Sequence, residues 1–252
     1  MATDTLLRTG LLVRHNLILR LRDPGQLISY VAIPMVLMLV LKPLYMEALD
    51  SGTVQAVTGP LVMFSVFALA VVGNSIMVER EWRTWDRLRS TRAGRAELLL
   101  GKMVPGFVVL LVQQCVLMAY GSLVLGLDLP GSVIGWVALA VAVWGLALLS
   151  MGAFLATVAR SRGDLGMVTD LGAISISALG GALVPVDLMP GWAQHVAPFS
   201  PGYWAMSLLR AALSGDGAGM VRPVLVCLAI TLVFGVLAAY RLSRGWGRSH
   251  LL

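Results

Sequence analysis

Charge is what this chain has least of. Only 13% of its 252 residues are Asp, Glu, Lys or Arg, against 58% that are apolar. A soluble surface carries roughly a quarter charged residues, so a water-facing globule is excluded and a lipid-facing chain is implied. Cysteine and histidine are scarce as well. Cys115 and Cys227 have no neighbouring cysteine, and His15, His195 and His250 are scattered, which gives neither a disulfide framework nor a metal spacing. Both cysteines fall inside apolar runs and read as small buried side chains. There is no Ser/His/Asp constellation, so the chain itself is expected to be non-catalytic. A phosphate-binding loop is missing too. Six residues rather than four separate Gly94 from Gly101-Lys102, and Met103 stands where a Ser or Thr would hold magnesium. No cofactor is expected on this chain.

What is present is length of apolar sequence. Six runs, Leu27–Tyr45, Gly59–Val78, Pro105–Leu127, Val133–Ala159, Gly166–Pro185 and Pro223–Tyr240, each approach the ~20 residues a helix needs to cross a hydrocarbon core. The second, third, fourth and sixth contain no charged residue. The expected fold is an all-α integral membrane domain over 1–252, with six transmembrane helices (27–45, 59–78, 105–127, 133–159, 166–185, 223–240), an N-terminal interfacial helix and a short outer hairpin between helices 5 and 6.

The cations set the orientation. Of the 19 Lys and Arg, 16 fall in 1–26, 79–102, the fourth connection (Arg160, Arg162) and the tail, whereas Lys42, Arg210 and Arg222 fall on the other side. Positive charge in short loops is retained in the cytoplasm, so both termini are expected inside, in the cytoplasmic (inner) membrane. The net charge of +6 then serves the membrane surface, and no nucleic-acid partner is expected. Arginine outnumbers lysine 17 to 2, with abundant Ala, Gly and Val, a bias that fits a GC-rich bacterium.

The first 26 residues are too rich in arginine for a cleavable signal core. Leu6 to Arg22 reads instead as an interfacial helix, with Arg8, His15 and Arg22 repeating every seven residues, ended by Asp23-Pro24-Gly25. The 79–102 connection is the other charged element. Glu79 pairs at helical spacing with Arg83, and Asp86 with Arg83 and Arg89, while Trp82 and Trp85 anchor it at the interface. A charged helix presented to the cytoplasm suits the docking of a soluble partner; a plain positive-inside loop is the bland alternative.

Polar groups within the runs are few. Asp170 is costly against lipid and should face protein or water, with Arg160 or Arg162 as partners. Gln113, Gln114 and Asn74 suit hydrogen bonding between helices or a polar path. Met38, Phe64, Phe67 and Met118 are candidate walls for an apolar or amphipathic cargo, and ordinary packing residues otherwise. Ala173, Ser177 and Gly181 recur every four residues as a small-xxx-small stripe that admits a close helix. Residues 186–207 are apolar but broken by Pro190, Pro198 and Pro201, with Trp192, Phe199, Tyr203 and Trp204 suited to an interface. A partly re-entrant hairpin over 186–207, led into by Pro185, is expected, because irregular backbone at membrane depth survives only where protein or water shields it; a simple loop on the outer surface is the alternative.

Three segments carry a family resemblance. Glu79, Arg80, Glu81, Thr84, Leu88, Thr91, Gly101 and Lys102 match the E-R-E-x-G-T-x-x-x-L-x-x-[ST]-P … G-K stretch of ABC-2 type permeases. Arg83 and Arg92 depart from it, standing in place of glycine and proline. Gly180-Gly181-Ala182-Leu183-Val184-Pro185, Leu188-Met189-Pro190-Gly191-Trp192 and Pro198 to Trp204 resemble the family's fifth span and outer hairpin. Leu21-Arg22-Asp23-Pro24 resembles its N-terminal elbow.

The resemblance implies a permease subunit of an ATP-binding cassette exporter, similar to the daunorubicin-resistance type. It would move a drug, lipophilic metabolite or lipid outward. Two cytoplasmic ATPase subunits holding ATP and magnesium would dock on the coupling loop, through Glu79, Arg80, Glu81, Arg83, Thr84, Asp86, Arg87 and Leu88. A second permease copy, or a homologous one, would share the Ala173/Ser177/Gly181 face or leave it to packing within the chain. Two alternatives stay open: a polysaccharide or glycolipid exporter of the same family, and a proton-coupled carrier working through Asp170, against which the halves show no repeat.

Overall fold

A computed structural model describes residues 10–18, 24–81 and 95–243 of the chain. All regular structure among them is helical, with no strand. The helices, in chain order, are α1 (residues 10–18), α2 (Pro24–Ala48), α3 (Gly52–Val66), α4 (Ala68–Glu81), α5 (Arg95–Leu123), α6 (Gly131–Val158), α7 (Arg162–Leu179), α8 (Gly191–Val196), α9 (Pro201–Ser214) and α10 (Gly217–Ser243).

Uninterrupted apolar sequence makes the long rods, since a helix satisfies its own backbone without water. Four stretches are long and apolar enough to cross a membrane: Ile28–Ala48, Met103–Leu123, Gly131–Val158 and Gly217–Leu242. The run read as a second span lies across α3 and α4, which are separated at Phe67. Helix α3 already begins at Gly52, after a tight turn in which Leu49 N donates to Tyr45 O. The fifth run corresponds to α7 and a glycine turn, and its helix is 18 residues long.

Side-chain neighbours fix the relative directions. Val57 of α3 meets Gly121 of α5, Ser65 meets Trp144 of α6, and Leu69 of α4 backs onto Gly152. Helices α3, α4 and α6 therefore run the same way. Helix α7 runs against them, because Leu165 faces Gly73 and Ala182 faces Gly59. Helix α10 runs with α6: Gly217 lies by Trp136, Gly235 by Ser150, and Phe234 against Phe154 with ring centroids 5.3 Å apart.

Helix α6 is the central rod, with 56% of its apolar stretch enclosed by the chain, against 17% for α2 and for α10 on the outside. Its Trp144 is 2% exposed and sits in the main apolar cluster with Leu61, Val66, Leu110, Leu117 and Leu148. A smaller cluster of Ile76, Met77, Leu149, Ala153 and Leu165 fills the end where α4 finishes and α7 starts. Ser161 caps α7 there, its hydroxyl accepting from Asp164 N at 3.0 Å.

At the opposite end the chain folds into the hairpin. Pro185, Pro190 and Pro201 each stand at a helix or turn start, where a missing N–H costs nothing. Ser200 caps α9 by accepting from Gly202 N, and its hydroxyl donates to Ile176 O at 2.7 Å. Gly180 and Gly202 let the end of α7 and the start of α9 touch backbone to backbone, since a Cβ on either would collide with the other strand of this crossing. Gly215 closes α9 at φ +70°, a left-handed cap that favours glycine.

Candidate functional site

The residues read as significant fall at the two ends of the bundle and in its middle. At the end where α4 finishes, Glu79, Arg80 and Glu81 form the last turn of α4. Arg83, Thr84, Asp86, Arg87 and Leu88 lie outside the described residues, as do Trp82 and Trp85. The far side of this connection is described where α5 begins. Gly101 is buried, and its carbonyl accepts from Asn16 Nδ2 at 3.1 Å, while the same amide donates to Leu12 O at 2.9 Å. Leu12 packs on Gly101 so closely that a Cβ there would approach it to 2.9 Å. Helix α1 is thus fastened to the start of α5, beside the charged connection.

In the middle, Met38, Met118 and Phe67 belong to or pack on the main apolar cluster, Met38 being 0% exposed. Phe64 is half-buried, its ring 5.6 Å from that of Phe67. Gln113 Nε2 donates to Tyr30 O at 2.9 Å and ties α5 to α2. Gln114 is 1% exposed, and neither Nε2 nor Oε1 has a partner. An apolar groove of about 350 Å³ runs along α2 between Ala32, Ile33, Val36, Leu37 and Val40. None of the proposed wall residues lines it, because Met38 points from the other face of the same helix.

The small-residue stripe is occupied within the chain. Ala173 and Ser177 are completely buried, Ala173 in the main cluster, and the Ser177 hydroxyl has no partner. The chain's own rods already cover Ala173 and Ser177. Asp170 is on the exposed side of α7, among Met167, Leu171 and Ile174, which are 49 to 61% exposed.

The hairpin end holds a polar knot that the sequence reading missed. Gln55, 1% exposed in the first turns of α3, donates from Nε2 to Gly181 O at 2.9 Å and to Ala182 O at 3.0 Å. Its Oε1 accepts from Arg210 Nη2 of α9 at 2.6 Å. Only this orientation of the amide works, since the flipped one would set oxygen against two carbonyls and N–H against a guanidinium. Tyr45 of α2 adds a third grip, its hydroxyl donating to Leu183 O at 2.6 Å. Burial lowers the Arg210 guanidinium from its ordinary value, with Asp187 and Tyr203 pulling it back up. An arginine nevertheless stays protonated, so the knot contains a permanent charge. Each hydrogen bond between membrane helices is worth about 0.6 kcal/mol, up to about 1.7, and charge-assisted ones are roughly twice as strong as neutral ones.

Beyond the knot the hairpin presents rings outward. Trp192 is 68% and Phe199 87% exposed. Trp204 Nε1 donates to Pro198 O at 2.8 Å, Tyr203 meets the Trp204 ring edge-on at 5.1 Å, and Arg222 lies 5.2 Å over the same ring. Among the described residues no cluster of His, Cys, Asp or Glu is arranged to hold a metal ion. The packed rods thus carry Glu79, Arg80 and Glu81 at one end and a gripped hairpin at the other.

Comparison with known proteins identifies the family. Residues 8–214 match the family described as ABC-2 type transporter. The chain is 30% identical over 199 residues to the Inner membrane transport permease YhhJ of Escherichia coli (strain K12), covering 78% of this chain and 52% of that protein. It is 26% identical over 195 residues to the Linearmycin resistance permease protein LnrN of Bacillus subtilis (strain 168), covering 75% of this chain and 50% of the relative. The chain spans about half the length of the curated relatives it matches.

Proposed function

Because the chain belongs to the ABC-2 type transporter family, we propose that it is the membrane-spanning permease subunit of an ATP-binding cassette exporter. The match over residues 8–214, which takes in α1 to α9, the charged connection and the hairpin, is the observation that carries this reading. Two copies, or one with a homologous permease, enclose the pathway. Two separate ATPase subunits, holding ATP and magnesium, dock on 79–102 from the cytoplasmic side, where both termini also lie. The charge pattern from Glu79 to Leu88 supplies the docking surface, and the Asn16–Gly101 contact braces it against α1. In this arrangement the chain crosses the membrane six times, α3 and α4 together making the second crossing.

The cargo is a drug, lipophilic metabolite or lipid moved outward. One relative bears linearmycin resistance in its name, and the apolar rods offer an apolar or amphipathic molecule little polar resistance. Coupling requires that the outward state bind nucleotide and ATPase better than the inward one, since a ligand shifts an equilibrium only by its differential affinity.

A mild-detergent pull-down of the tagged protein, expressed from its native operon, tests the reading. An ABC ATPase should co-purify, the eluate should hydrolyse ATP, and the combined change Glu79→Ala/Arg80→Ala/Glu81→Ala should release it. A folded chain that elutes alone and still transports would refute the proposal and turn attention to Asp170.

A further inference from the structure

We infer that Gln55 is a positioning residue that makes the hairpin and α9 follow α3, so that motion delivered at the charged connection reaches the opposite end of the bundle. The inference rests on the transporter reading above, but the grip itself does not.

Three consecutive backbone carbonyls, those of Gly181, Ala182 and Leu183, are held by side chains from far back in the chain rather than by a helix of their own. Gly181 makes this arrangement available: its φ of +86° is one that side-chain-bearing residues rarely adopt. Gln55 takes the first two carbonyls and, through Oε1, Arg210 of α9, so one buried amide joins three elements. One turn along α3, Gly59 lies directly beneath the Ala182 carbonyl, with no room for a Cβ. The turn therefore cannot slide along α3 without breaking both hydrogen bonds that Gln55 gives to its carbonyls.

The same rod leads, through the break at Phe67, into α4 and the connection at Glu81. The grip sits at one end of that rod and the proposed docking loop at the other. A displacement of α3 must carry the 181–183 turn, and through Arg210 it must carry α9. Three groups act around the amide: Arg210 directly, Tyr45 from α2 on the next carbonyl, and Asp187 through its charge on Arg210.

The test has two parts. The first is hydrogen–deuterium exchange of the chain in lipid nanodiscs, without nucleotide. Gln55→Leu should raise exchange in 180–188 by about tenfold or more while leaving 131–158 unchanged. Gln55→Glu guards against misfolding. Its neutral carboxylic acid can still donate to a carbonyl, whereas its carboxylate faces two of them. The excess exchange over the unsubstituted chain at the same pH should therefore appear on raising the pH and vanish on lowering it. Unchanged protection in Gln55→Leu, or a pH-independent Gln55→Glu, overturns the grip.

The second part uses the complex with its ATPase and a cysteine at exposed Trp192, labelled by an impermeant maleimide in a Cys115→Ala background. Nucleotide should change the labelling rate when Gln55 is present and leave it constant in Gln55→Leu, with ATP hydrolysis retained. A nucleotide response that survives Gln55→Leu overturns the positioning role, as does a Gln55-containing complex that hydrolyses ATP without any response. Failure to bind an ATPase at all would count against the proposed function instead, and the exchange result would still decide the grip.

Discussion

The indole N–H of Trp144 donates to Ser65 Oγ at 2.7 Å, across the centre of the bundle and two residues before the rod breaks at Phe67. Ser65 in turn donates to Val62 O at 2.6 Å. A serine bonding back to its own helix weakens and bends that helix. The break is thus pinned to the central rod by a satisfied indole. Ser65→Ala, Trp144→Phe and the double change should show a coupling of about 1 kcal/mol in a double-mutant cycle, read from detergent unfolding. Strictly additive losses would contradict the pairing.

Gln114 offers the opposite experiment. Its amide is buried without partners, and an orphaned polar group costs about 1–3 kcal/mol. Gln114→Leu should therefore stabilise this conformation and raise the midpoint of thermal unfolding. A lowered midpoint would show that the amide has a partner in the membrane.

Two glycines in helices predict different outcomes for the same substitution. At Gly59 a Cβ would run into the Ala182 carbonyl, whereas at Gly135 nothing lies within 4 Å. Gly59→Ala should cost about 1–3 kcal/mol by overpacking and loosen the hairpin to proteolysis. Gly135→Ala should be neutral or gain about 0.4–1 kcal/mol. Equal effects on unfolding at the two positions would contradict the close crossing of α3 and the turn.

Asp170 separates two energy sources. An ATP-driven subunit carrying Asp170→Asn should keep the pH dependence of its transport. A proton-coupled carrier should lose that dependence.

The long rods were legible because a continuous apolar run leaves the backbone no partner but itself. The interruption at Phe67 was not, since a lone serine in Phe64-Ser-Val-Phe-Ala-Leu does not by itself end a helix, and the Trp144 contact with Ser65 is invisible in the sequence. The helical start at Gly52 was missed because Gln55 and Thr58 look too polar for a span, although both are buried. Proline and serine spacing gave the hairpin its turns, but its fastening depends on residues 126 to 155 positions apart. The available signals were a lone amide ahead of an apolar run, a Gly-Gly pair, and Arg210 isolated among apolar neighbours. Ala173 and Ser177 of the small-residue stripe are buried within the chain.

The most direct measurement is export from proteoliposomes containing the permease and the ABC ATPase proposed as its partner, using a fluorescent lipophilic drug. ATP in the compartment facing the ATPase should drive transport, an imposed proton gradient without ATP should not, and the Glu79/Arg80/Glu81 alanine triple should abolish it. Transport that follows the proton gradient and ignores ATP would contradict the account.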